Sequence, residues 1–146
     1  MLIGYLMNKA TDVDTLPAQR QALADAGCTL LVEDLGDGNR WEQPELRRVL
    51  DGLRKGDVVV VPKLDCLGRS LPDVVRRVGR ITAAGAGLRS LAEAMDTTTH
   101  EGQAAARMIG TLAALDRDAV RDRIGAGLAV ARAAGRKGGQ ASSKQR

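Results

Sequence analysis

Hydrophobic positions alternate between short runs and helical stripes over the first ninety or so residues of the chain. Residues 2–6 (Leu-Ile-Gly-Tyr-Leu) predict a first strand, and the polar stretch from Met7 to Leu16 predicts a loop at its carboxyl end. Thr15 is placed to cap a helix from about Leu16 to Ala26, with Pro17 in its first turn and Gly27 stopping it. Thr29–Glu33 predicts a second strand, followed by a polar loop over residues 34–43 that contains two glycines, Asn39 and Arg40. Pro44 opens a second helix, whose Leu46, Val49, Leu50 and Leu53 share one face. Val58–Val61 is a β-branched run too short and too apolar for anything but a buried strand. Pro62 has no N–H to give a ladder, so the strand stops there or lies at an edge. A third helix is expected from Leu71 to about Ala84, ended by Gly85 and Gly87, and a fourth strand at Leu88–Leu91. Strand and helix in alternation predict an α/β sheet with crossover helices.

The last element breaks this rhythm. From Glu101 to about Ala134 there is no Pro, and apolar residues recur at Met108, Leu112, Leu115, Ala119, Ile124, Leu128 and Ala131. A single helix of that length spans roughly 50 Å. That exceeds the expected diameter of the domain, so part of it is expected to project, with another subunit or DNA covering its apolar stripe. Gly125 and Gly127 each weaken its middle by about 1 kcal/mol, which leaves two shorter helices as the alternative. The expected organisation is an α/β domain over residues 1–100, a long oligomerisation and DNA-facing helix over 101–134, and a flexible basic tail over 135–146.

Composition narrows the function. The chain is long enough, at 146 residues and 44% hydrophobic, for one domain with a proper core. With no Phe, one Trp and one Tyr, that core must be aliphatic and Ala-rich, and binding of single-stranded nucleic acid by base stacking is disfavoured. Two cysteines, no signal peptide and no apolar run of spanning length predict a cytoplasmic protein without disulfides and without a membrane partner. From Asp116 to Arg146 there are eight Lys or Arg against three Asp, a net +5, which leaves about −1 for the rest. A basic tail on a near-neutral domain points to an anionic partner, nucleic acid first, or else simply to solubility. No phosphate-cradling glycine loop follows a strand, and no Cys/His spacing suits a metal, so no cofactor is expected. His100, the one histidine, reads as structural or exposed.

Around the central strand the candidate chemistry gathers. Lys63, Asp65 and Arg69 arrive within seven residues, with Gly68 allowing a tight bend and Ser70 placed as an N-cap for the next helix. Charged groups at the end of a buried strand are where open α/β sheets place their sites, although a solvated loop has the same composition. The stretch Lys63-Leu64-Asp65-Cys66-Leu67-Gly68-Arg69-Ser70 resembles the Lys-Leu-Asp-Arg-Leu-Gly-Arg-Ser signature of the serine recombinases, the resolvase and invertase family. Gly4-Tyr5, Ala10-Thr11-Asp12 and Gln19 to Leu23 are similar to the family's opening strand, loop and first helix. Asp96 to Thr99 and Leu112 to Arg123 resemble its later loop and long final helix. The similarity runs over residues 2 to about 139. It implies a resolvase-like three-layer α/β/α domain with an antiparallel edge strand, and a final helix that builds a dimer or tetramer. It further implies a basic arm for duplex DNA, matched here by Arg132, Arg136 and Lys137. The family continues into a helix-turn-helix domain. Only a short segment follows that arm here, so weak sequence discrimination is expected.

The resemblance fails where the family's chemistry is carried. That chemistry joins a serine hydroxyl to a DNA phosphodiester as arginines neutralise the phosphoryl oxygens. Counting back from Gln19 and Arg20, the serine's position falls on Ala10; counting forward from Tyr5, it falls on Lys9. The first Ser in the chain is Ser70. The arginine two residues before the serine becomes Asn8 or Met7, the loop arginine before Pro44 becomes Gln43, and the first arginine of the signature becomes Cys66. Asp65, Arg69 and Lys63 remain, as vestiges. The expected protein is a degenerate recombinase that binds DNA, or an active recombinase as its partner, without cutting. The alternatives are an active enzyme using Thr11, a reactive Cys66 thiol beside Arg69 and Lys63, and an interaction module with no DNA role.

Overall fold

A computed structural model of the chain describes residues 1–36 and 42–133; beyond Leu115, side chains are described only at Asp118 and Gly125. Two compact units are present, residues 1–110 and the chain from Thr111 on.

The first unit is built on a five-stranded sheet. In chain order it holds strand β1 (Leu2–Lys9), a 3-10 turn at Ala10–Asp12, helix α1 (Leu16–Asp25), strand β2 (Leu30–Gly36) and helix α2 (Pro44–Gly52). Strand β3 (Val58–Val61), a 3-10 turn at Leu64–Leu67, helix α3 (Leu71–Ala83) and strands β4 (Gly87–Ser90) and β5 (Met95–Asp96) follow, before helix α4 (His100–Ala133) begins. The strand order is β2-β1-β3-β4-β5, parallel except for the β4–β5 pair. The antiparallel edge implied by the resemblance is therefore present, on a strand of two residues that no periodicity could signal.

The pleat sorts the core into two layers. Tyr5, Met7, Val59, Val61 and Leu88 meet Leu46 and Leu50 of α2 and Val74, Val78 and Ile81 of α3. On the opposite face, Leu6 and Val60 meet Leu16 and Leu23 of α1. Successive strand residues point to opposite faces, so a strand buried on both reads as a continuous apolar run. That is why Val58–Val61 carries no alternation. The strand ends before Pro62, as its missing N–H requires.

Two sequence expectations need correction. The segment after Leu6 does not loop at once. β1 pairs residue for residue with β2 from Ile3↔Leu30 to Lys9↔Gly36, so the ladder's backbone bonds carry the polar end of the strand. Thr15 stands at the N-cap of α1 but makes no side-chain cap bond. Its hydroxyl donates to the Asp12 carbonyl at 3.0 Å and accepts from Gln19 Nε2 at 3.1 Å. Ser70 does cap α3, its Oγ accepting from the Asp73 N–H at 3.4 Å.

α4 is one helix of 34 residues, unbroken at Gly125 and Gly127. Thr99 caps its start by accepting from the Gly102 N–H at 3.0 Å. Gly102 passes so close to Asp96 that a Cβ there would lie 1.7 Å from the Asp96 carbonyl oxygen. In the second unit Leu112 and Leu115 are exposed, as is Met108 in the first.

Candidate functional site

The unbroken ladder of β1 places Lys9 at the strand's carboxyl end, and the chain turns only at Ala10. With the segment after β3 this end encloses a cavity of about 350 Å³ lined by Lys9, Thr11, Asp12, Lys63, Asp65 and Cys66, among others. Lys9 Nζ lies 3.6 Å from Asp65 Oδ2. Thr11 Oγ1 donates to Asp12 Oδ1 at 3.4 Å. Of the two positions that matched the family's serine, Lys9 lines the cavity and Ala10 does not. Lys63 and Asp65 reach it, whereas Arg69, exposed just before the α3 cap, is not part of its wall.

Cys66 is buried, and that burial pushes its thiol pKa up, chiefly by desolvating the thiolate. A raised pKa keeps the thiol protonated and unreactive at neutral pH. Burial therefore works against the reactive-thiol alternative.

Behind this cavity runs a buried polar network that sequence reasoning missed. Gln43, 1% exposed, lies just before α2. Its Nε2 donates to the Cys66 carbonyl at 2.7 Å and to the Tyr5 hydroxyl at 3.0 Å. Its Oε1 accepts from Arg77 Nη2 at 3.3 Å. A carbonyl can only accept and a guanidinium can only donate, so these partners fix which way the carboxamide points. The Tyr5 hydroxyl donates a hydrogen bond to Asp34 Oδ2 at 2.9 Å. Asp34 in turn caps α2, its two carboxylate oxygens accepting from the Glu45 and Leu46 N–H groups, each at 2.9 Å. Burial in this chain of bonds pushes the Tyr5 phenol pKa up. Burial also draws the Arg77 pKa down, with Arg76 and Arg47 adding repulsion that Asp73 opposes.

A sequence signal for Arg77 exists: Val74, Val78 and Ile81 face the core, which puts residue 77 on the flank of that face. No comparable signal exists for Asp34, which caps a helix starting ten positions later. Met7, one of the two candidates for the missing arginine, is buried among the core residues, and Asn8 is half-buried. Arg136 and Lys137 of the expected basic arm lie outside the described residues, as do Asn39 and Arg40; Arg132 lies on α4 with its side chain undescribed. Among the described residues no helix is long and apolar enough to cross a membrane.

Comparison with known proteins adds the family. The model of the resolvase N-terminal domain matches residues 7–137. The serine recombinase gin of Escherichia phage Mu is 42% identical over 140 residues, which is 96% of this chain and 72% of that protein. The DNA-invertase hin of Salmonella typhimurium is 38% identical over 138 residues, covering 94% of this chain and 72% of its own length. The catalytic domain of TP901-1 integrase has the same fold, with a TM-score of 0.68 at 21% identity over 81% of this chain and 98% of that one. Family model, sequence relatives and fold agree: the chain belongs to the serine recombinases of the resolvase and invertase family, whose catalytic domain it forms.

Proposed function

We propose that this protein binds duplex DNA as a self-associating member of its family without cutting the strand, acting as a regulatory partner of DNA or of an active recombinase. One observation carries the reading. Counted along the unbroken β1 strand from Tyr5, the serine's position holds Lys9, whose ammonium is paired with Asp65 at 3.6 Å. An ammonium engaged with a carboxylate is no nucleophile, since a protonated amine has no lone pair to offer. The cations are missing as well: Met7 is packed in the core, and Gln43 offers a neutral carboxamide already committed to Cys66, Tyr5 and Arg77. Each lost oxyanion donor costs about a hundredfold to a thousandfold in rate, and here several go together with the nucleophile.

DNA affinity in this reading comes from Arg132, Arg136 and Lys137. Three phosphate contacts per subunit, about six in a dimer, give a log–log salt slope of roughly −5 to −6 with little sequence discrimination. Met108, Leu112 and Leu115 supply the apolar stripe for self-association, and a monomeric mass by light scattering at micromolar concentration removes that part of the reading. Residues 1–100, 101–134 and 135–146 then serve as fold, association helix and basic arm.

Thr11 supports a second reading, because its hydroxyl lines the cavity beside Lys9 and Asp65. Incubation with supercoiled DNA followed by denaturing electrophoresis separates the two. No protein–DNA adduct is expected. An adduct that disappears in Thr11→Ala overturns the non-cleaving reading in favour of an active recombinase.

A further inference from the structure

Helices α2 and α3 lie on the same face of the sheet and are tied together by the Arg80–Asp51 ion pair. Between them they carry Arg47, Arg76 and Arg77. Arg47 sits one turn into α2, its N–H bonded to the Gln43 carbonyl at 3.0 Å. Arg77 of α3 reaches across to the Gln43 side chain at 3.3 Å, so one glutamine anchors both neighbourhoods. Arg76 lies beside Arg77 and is paired with Asp73 at 2.9 Å. Among the described residues no carboxylate lies within ion-pair distance of Arg47 or Arg77. At Arg77 burial disfavours the charge, Asp73 opposes that, and Arg76 and Arg47 add smaller repulsions.

Like charges acting on a half-buried guanidinium, as at Arg77, are costly unless an anion joins them. Guanidinium groups suit phosphate because their donors are fixed in a planar fork. Among the described residues, the carboxylate that acts on Arg77 is Asp73. We propose that Arg47, Arg76 and Arg77 form a phosphate-binding surface that seats the backbone of duplex DNA against α2 and α3. This site rests on the reading of the protein as a duplex-binding one and is separate from the basic arm that follows α4. The Arg77 and Arg76 side chains are held by Gln43 and Asp73, so two of its three members are positioned before DNA arrives. Preorganisation of that kind lowers the cost of binding. Gln43 acts here as a positioning residue, holding Arg77 by its carbonyl oxygen while its amide is pinned by Cys66 and Tyr5.

The test is a salt titration of the full chain against a labelled 30-base-pair duplex, read by fluorescence anisotropy. Three proteins are compared: wild type, Arg47→Gln/Arg76→Gln, and Arg54→Gln/Lys55→Gln. Arg47 and Arg76 are exposed, so their variant should fold, and thermal melting confirms that it does. Arg54 and Lys55 lie before β3, at the opposite end of the sheet, and their variant loses the same two charges. The expected result is a log–log slope shallower by about 1.8 for Arg47→Gln/Arg76→Gln, two phosphate contacts at 0.9 each, with the Arg54→Gln/Lys55→Gln slope unchanged. Equal slopes in the two variants overturn this surface while leaving the duplex-binding reading intact. Absence of wild-type binding at low salt overturns both.

Discussion

The carboxyl end of the sheet holds two regions of different character. At the end of β3, the stretch from Leu67 to Ser70 is fitted to the fold: Leu67 is fully buried, and Ser70 caps α3. Gly68 has extended backbone that any residue could adopt, yet a Cβ there would lie 2.5 Å from Asp73 Cβ and 3.1 Å from the Val74 nitrogen. Beside it, at the end of β1 and the start of α2, lie Lys9, Met7 and Gln43, among the candidates that the resemblance matched to the family's nucleophile and arginines. Here each group is satisfied by the protein itself, through an ion pair, the apolar core and a carboxamide with three partners. The difference separates two kinds of constraint. Residues that let α3 pack against the sheet answer to the chain's own geometry. Residues that would hold a phosphate answer to a ligand, and groups that find partners within the protein can stand at such positions without harm to the fold.

Restoring the arginine at position 43 is the sharpest challenge to this contrast. Gln43→Arg sets a second guanidinium against Arg77 in a buried site and removes the acceptor that Arg77 now uses. We expect a loss of about 3–5 kcal/mol in urea unfolding, the range for an uncompensated buried charge. Gln43→Arg/Arg77→Leu should recover part of it. A fully stable Gln43→Arg protein would mean that the network is not what holds the α2 entrance. In the fitted region, Gly68→Ala should cost about 1–3 kcal/mol, because the new methyl forces the first turn of α3 to shift. No change in unfolding midpoint would show that α3 has room that the geometry does not indicate. The smallest effect is expected at Asp65→Asn. The Lys9–Asp65 pair is 3.6 Å long with a carboxylate 59% exposed, so its loss should cost under about 1 kcal/mol. A larger loss would place Asp65 with the residues fitted to the fold.

Much of the architecture could be read from periodicity. Leu46 and Leu50 at helical spacing are buried against the sheet, and Val58–Val61 is an inner strand that stops before Pro62. The long α4 followed from the absence of Pro, and the helix stays continuous through the two glycines that suggested a break. These are local properties: side-chain spacing sets which face of an element is apolar, and burial of that face selects the element. The signature Lys63 to Ser70 was equally legible, because its residues are neighbours in the chain and shape one tight turn.

What stayed hidden was the wiring between elements. Polar residues at the end of β1 gave no sign that the strand runs on to Lys9, since its pairing with β2 comes from backbone groups that every sequence carries. Hence counting along the chain leaves Lys9 and Ala10 equal as the serine's counterpart, and only the tertiary structure shows that Lys9 lines the cavity and Ala10 does not. Gln43 showed itself only as an arginine that was missing. Its partners Tyr5, Cys66 and Arg77 lie 38, 23 and 34 positions away. Contacts over such separations depend on how helices stack on a sheet, and a carboxamide carries no periodic signature. Spacing along the chain therefore determines the elements and their apolar faces, while the partners of its buried polar groups are chosen when those faces come together.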